Sequence, residues 1–256
     1  MRANHVKRKL ERGEVSYGLW LTVGEFHTAR ALAGCGLDWL VVDIEHGPFD
    51  WSQAAALFAA IADAGCVPLT RVPCGSHDQI KRALDCGAWG IVIPMVDTVE
   101  QARSAVAAAK YPPVGNRSLG GALHALSFGA TADEYYARAN DEILVVVQTE
   151  SPAGVEHADE IYSVAGVDVV FVGPRDLQAQ MRTADGADPS TEALEAMLGR
   201  IVDAAAQAGI ACGYLSANAQ GARQRADQGF GMIGVGTDLG LALSQARSVL
   251  EALRGD

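Results

Sequence analysis

Lysine is scarce in this 256-residue chain. There are four, Lys7, Lys9, Lys81 and Lys110, and none falls at the end of an expected strand. Schiff-base chemistry needs a lysine inside the site, so the lysine positions disfavour that route. Aromatic residues are also few, at 6%, while hydrophobic residues make up 49%, so Ala, Val, Leu and Ile must fill the core. The five cysteines, Cys35, Cys66, Cys74, Cys86 and Cys212, are odd in number and contain no CxxC pair. They read as reduced thiols, several of them buried. Positive charge is in deficit: the net charge of −11 argues against a nucleic-acid surface. No run approaches the roughly 20 apolar residues that span a bilayer, and no apolar signal core follows the basic segment Met1–Lys9. We expect a cytoplasmic protein that engages no membrane and no nucleic acid.

What the chain does have is a series of short apolar runs. Val145–Glu150 and Val169–Asp176 are the clearest. Each is rich in β-branched residues and carries a carboxylate at or just past its C-terminal end, as expected for strands buried on both faces. Six more candidates are Tyr17–Val23, Trp39–Glu45, Val67–Val72, Gly90–Val96, Ile210–Leu215 and Met232–Asp238. Segments with helical spacing fall between nearly all of them: Phe26–Ala33, Trp51–Ala64, Ser76–Cys86, Thr98–Lys110, Thr131–Asn140, Gly154–Val164, Thr191–Ala208, Asn218–Gln228 and Leu241–Leu253. Glu11–Val15 reads as the tail of a short helix, and Val114–Ala130 as a long glycine-containing loop. Eight βα units without a linker favour an α/β fold of the (β/α)8 TIM-barrel type, as one domain over 1–256.

Such a barrel gathers its strand C-termini on one face, which is where chemistry sits. The polar residues there are Glu45, His46, Arg71, Gln148, Glu150, Arg175, Asp176, Ser216 and Asp238. Glu150 and Asp176 suit Mg2+ or Mn2+, which prefer oxygen ligands and take one or two carboxylates; each could equally cap a helix N-terminus. His46 suits a general base near neutral pH, oriented by Asp43 or Asp85, or is a hydrogen-bonded loop histidine. Arg71 could clamp a carboxylate or an enolate oxygen, or pair with Glu45. Gly234–Gly240 has the glycine content of a phosphate loop or simply of a tight turn, and Asp238 would repel an anion.

Seven stretches together resemble the HpcH/HpaI aldolases, metal-dependent class II pyruvate aldolases. They are Val42–Pro48, Thr70–Pro73, Ile80–Ala88, Ile93–Val96, Tyr111–Arg117, Val147–Glu150 and Gly166–Leu177. The resemblance runs from about Gly18 to Leu253. It implies a barrel of the phosphoenolpyruvate/pyruvate-superfamily type whose last helix is exchanged between subunits of a homo-oligomer, a hexamer or trimer. It also implies that His46 is the catalytic base, that Asp85 raises its basicity and that Arg71 stabilises the pyruvate enolate. Glu150 and Asp176 match the metal ligands (Mg2+, Mn2+ or Co2+), and Gln148, Arg175 and Asp176 fall at the substrate. The implied reaction is reversible cleavage of a 4-hydroxy-2-oxoacid to pyruvate, or a close 2-oxoacid, and an aldehyde, as used in the catabolism of aromatic compounds or sugar acids.

Three features depart from the family pattern. Arg175 stands where a small residue is usual, Gln178 follows Asp176-Leu177, and Arg117–Gly121 and Arg182–Pro189 replace the commoner loops. These surround the acceptor pocket. Two alternatives keep the scaffold: an acyl-CoA lyase of the malyl-CoA or citryl-CoA type, which the acidity and lysine shortage disfavour, and a non-catalytic 2-oxoacid-binding barrel.

Overall fold

The computed structural model describes residues 1–255; Asp256, the last residue of the expected domain, lies outside them. Helix α1 (His5–Glu11) precedes β1 (Ser16–Leu21). Then come α2 (Phe26–Ala33), β2 (Trp39–Asp43), α3 (Trp51–Asp63), β3 (Val67–Arg71), α4 (His77–Asp85) and β4 (Gly90–Ile93). Helices α5 (Val99–Ala109), α6 (Leu123–Ser127) and α7 (Ala132–Glu142) lead to β5 (Leu144–Thr149). Helices α8 (Pro152–Glu156) and α9 (Ala158–Tyr162) lead to β6 (Val169–Val172), followed by α10 (Pro174–Gln180) and α11 (Thr191–Ala208). The chain ends with β7 (Ala211–Leu215), α12 (Ala219–Asp227), β8 (Met232–Thr237) and α13 (Asp238–Arg254). The eight strands pair in sequence order, all parallel, and β8 returns to β1 through Ser16↔Met232. The fold is therefore a closed (β/α)8 TIM barrel.

Local sequence explains the main elements. The strands are rich in Val, Ile and Leu because both faces are buried, one by the barrel interior and one by helices. Capping boxes start α3 (Asp50 with Gln53), α5 (Thr98 with Gln101) and α7 (Thr131 with Glu134). The few large rings are set against glycines. A Cβ at Gly18 would collide with Trp39, and one at Gly213 with Phe171. Trp20 packs on both Trp39 and Phe171, with ring centroids 5.6 and 4.9 Å apart.

One end of the barrel is closed by α1. Asn4 caps this helix and also donates to Trp89 O and Glu142 O, next to the starts of β4 and β5. The other end, at the strand C-termini, is the mouth.

Four details correct the sequence reading. The first helix ends at Glu11 rather than running to Val15, because Gly13 turns the chain with φ 72°. The expected loop at 114–130 contains α6. His157 divides the expected helix at 154–164 into α8 and α9. The sixth strand stops at Val172; Pro174 opens α10, so Arg175 and Asp176 lie on its first turn.

Candidate active site

The β2–β3 register sets Asp43 directly beside Arg71. Arg71 Nε and Nη2 fork onto the two oxygens of Asp43 at 2.9 and 2.5 Å, and Nη1 lies 3.0 Å from Glu45 Oε2. Burial disfavours the guanidinium charge, but the pairs with Asp43 and Glu45 outweigh it and raise the Arg71 pKa. Asp43 Oδ1 also accepts from the backbone N–H groups of Glu45 and His46, at 3.2 and 3.3 Å. One buried carboxylate thus fixes both the arginine and the start of the loop that carries His46. The His46 side chain is 66% exposed, with Nε2 3.9 Å from Glu45 Oε2, so the ring is free to meet a substrate at the mouth.

Glu150 follows β5 and is buried. Its Oε1 accepts from Met95 N at 2.8 Å, and Oε2 accepts from Gln148 Nε2 at 3.2 Å. Gly173 lies against the same oxygen, and a Cβ there would collide with it. Burial pushes the Glu150 carboxyl up to about 7; the Met95 N–H opposes this, while the charges of Asp176 and Glu45 add to it. Burial also raises Glu45, with Asp43 and Asp176 adding and Arg71 and His46 opposing. Asp43, Glu45, Glu150, Asp176, Arg71 and His46 therefore share one electrostatic environment.

This arrangement fits a divalent cation. A buried carboxylate held with its charge disfavoured gains from a nearby positive ion. Gln148 Oε1 is buried without a hydrogen-bond partner, a second oxygen donor beside Glu150. The donor set is all oxygen, as Mg2+ or Mn2+ prefer. Among the described residues no group of three or more His, Cys, Asp or Glu side chains forms a complete cage. Remaining positions would fall to water and substrate.

The other expected residues, Arg175 apart, make contacts of their own. Asp85 ends α4, which runs back from the mouth toward the start of β4. It pairs with the buried Arg117 at 2.7 Å and makes no hydrogen bond with His46 among the described residues. Within one chain, Asp43 rather than Asp85 is the carboxylate bonded to the His46 loop. Arg175 is exposed and makes no hydrogen bond or ion pair among the described residues. Ser216 Oγ donates to Asn218 O. Asp238 accepts from Thr22 N and Oγ1, both at 2.8 Å, and from Val23 N at 3.2 Å, tying β8 to β1. A buried carboxylate in that position is unsuited to a phosphate loop. The sequence reading overlooked Met95 and Gly173. Pro94, which cannot donate to a ladder, was the available signal for the first.

A closed parallel barrel with an arginine fork and gathered carboxylates at its C-terminal mouth is the architecture of an enzyme. The HpcH/HpaI aldolase/citrate lyase family model matches residues 16–245, and the chain belongs to that family. It is 40% identical over 254 residues to a hydroxypyruvate/pyruvate aldolase of Deinococcus radiodurans, covering 98% of this chain and 90% of that protein. It is 36% identical to a 2-keto-3-deoxy-L-rhamnonate aldolase of Klebsiella pneumoniae, covering 92% and 88%. A crystal structure of an HpcH/HpaI aldolase/citrate lyase family protein from Burkholderia cenocepacia superposes with a TM-score of 0.90 at 36% identity, covering 98% and 99%. These relatives support an aldolase.

Proposed function

We propose that the chain is a divalent-metal-dependent aldolase. It joins or separates a pyruvate-like 2-oxoacid and an aldehyde through the bond between C3 and C4 of a 4-hydroxy-2-oxoacid. Pyruvate and hydroxypyruvate are the favoured oxoacids, in line with what the Deinococcus relative is named for. The observation that carries the reading is the buried Glu150 carboxylate, clamped beside Asp176 at the mouth that also presents the Arg71 fork.

Glu150 and Asp176 would hold the ion, and its chemistry is Lewis-acid polarisation of the 2-oxo group. Arg71 has five N–H donors and commits three to Asp43 and Glu45. The two left over would donate to the oxygen that becomes the enolate. His46 would take the proton from C3 as the C–H electrons move into the enolate. The enolate carbon then attacks the aldehyde carbon, and the new alkoxide takes up a proton; cleavage is the reverse. Met95, Gln148 and Gly173 hold Glu150 throughout.

We also propose a homo-oligomer. Every residue from Leu239 to Gly255 is exposed, including Leu241, Leu243, Val249, Leu250 and Leu253, so α13 offers an apolar face to a second copy. Removal of 239–256 is expected to lower the mass measured by light scattering to that of the monomer.

The test of the reaction is pyruvate release from a 4-hydroxy-2-oxoacid, after EDTA treatment and after adding Mg2+ or Mn2+. Activity should need the ion and be lost in His46→Ala and Glu150→Ala. Full activity in both variants would sink the assignment.

A further inference from the structure

Met95 is the non-glycine residue, among those described, with a positive φ, 52°. The sequence accounts for its position. Pro94 offers no N–H, and the β4–β5 register stops at Ile93↔Val147. Pairing resumes when Val96 N donates to Gln148 O at 3.1 Å. Met95 is lifted out between them, and its N–H turns to Glu150 Oε1 at 2.8 Å. Its thioether accepts from Gln180 Nε2, the last residue of α10, at 3.9 Å.

The geometry points to Met95 as a positioning residue whose left-handed backbone, rather than its side chain, fixes the orientation of the Glu150 carboxylate for the metal. This rests on the metal reading proposed above. An ordinary residue stays in a strained conformation only where its surroundings enforce it, and such residues cluster at functional sites. Here the enforcing contact is a charge-assisted hydrogen bond from a backbone N–H. With Oε1 held by Met95 and Oε2 by Gln148, and the Gly173 backbone close against Oε2, the carboxylate is confined to one orientation.

Backbone and side-chain roles rank variants in opposite orders. Glycine enters the left-handed region freely and asparagine tolerates it, while valine resists it. Met95→Gly and Met95→Asn are expected to bind Mn2+ within about threefold of wild type, since their backbones keep the N–H in place. Met95→Val is expected to bind about tenfold or more weakly, the effect of losing an outer contact to a metal ligand. Titration calorimetry on the EDTA-treated full chain reads all three. Normal binding by the valine variant with weak binding by glycine would overturn the proposal in favour of side-chain packing, and equal affinities would overturn it too. A wild-type chain that binds no Mn2+ would overturn the metal reading and this role with it.

A second measurement needs no metal. The chain has five methionines, so 15N-methionine labelling gives a simple amide spectrum, in which the Met95 peak is the one lost in Met95→Gly. In Glu150→Ala that peak should move upfield while those of Met181, Met197 and Met232 stay. An unmoved Met95 peak would mean that the hydrogen bond is absent and would overturn the proposal.

Discussion

At the closed end of the barrel Lys7 meets Asp168 at 2.8 Å, Lys9 meets Asp38 at 2.9 Å, and Glu142 takes Arg8 and Arg138 at 3.1 and 3.2 Å. At the open end Asp43 and Glu45 pair with the same Arg71, while Glu150 and Asp176 have no ion pair among the described residues. A cavity of about 570 Å3 lies at the closed end, between Lys7, Lys110, Arg138 and Asp168, where charges of both signs already face one another. The closed end spends its charges on holding α1 against the strand starts. The mouth keeps negative charge in excess, a strained Met95 and an exposed histidine. One surface has its charges paired across the strand starts; the other leaves two carboxylates without a cationic partner beside a single arginine.

Breaking the arginine fork should have the largest effect. Lysine cannot span Asp43 and Glu45 and still donate to substrate, so Arg71→Lys is expected to lower kcat by about 10²–10³. Steady-state cleavage kinetics would show this, and the carboxylate left without its partner should lower the melting temperature as well. Asp168→Ala should cost stability alone. It strands Lys7, largely buried, and the N–H of Val145, and is expected to cost roughly 2–4 kcal/mol in urea unfolding. Its Mn2+ affinity should stay near wild type.

Glu150→Gln sharpens the contrast. It removes a buried charge that its neighbours disfavour, so the metal-free protein at pH 8 should melt roughly 2–4 °C higher, while Mn2+ binding is lost. A lower melting temperature would contradict the excess of negative charge at the mouth.

Lys110 gives the smallest effect. It is buried at the closed end and donates to Asn140 O and Ile143 O. Burial, aided by nearby Lys7, pulls its pKa down to about 8. Between about 8 and the ordinary lysine value near 10.4 the unfolded chain binds more protons, so this group makes stability rise with pH. The stability difference between wild type and Lys110→Met, from urea melts, should grow in favour of wild type from pH 7 to pH 10.

The barrel was legible because strands buried on both faces write themselves as β-branched runs, and because glycine and proline punctuate them. Short helices were not: α6 and α10 are too brief to show a period, and α10 begins inside what reads as a continuous strand. Glu150, Asp176, Arg71 and His46 were legible as polar residues after apolar runs. The pairing of Arg71 with Asp43 was not, since it depends on the β2–β3 register. The Asp85–Arg117 pair was not legible either, since it joins the end of α4 to the loop before α6, 32 residues further along the chain.

The most direct test of the central claim is exchange of pyruvate methyl protons in D2O, followed by NMR on EDTA-treated protein before and after adding Mg2+ or Mn2+. It requires no knowledge of the aldehyde. The account predicts exchange that depends on the ion and disappears in His46→Ala. Absence of exchange with either metal, or exchange that persists without His46, would contradict it.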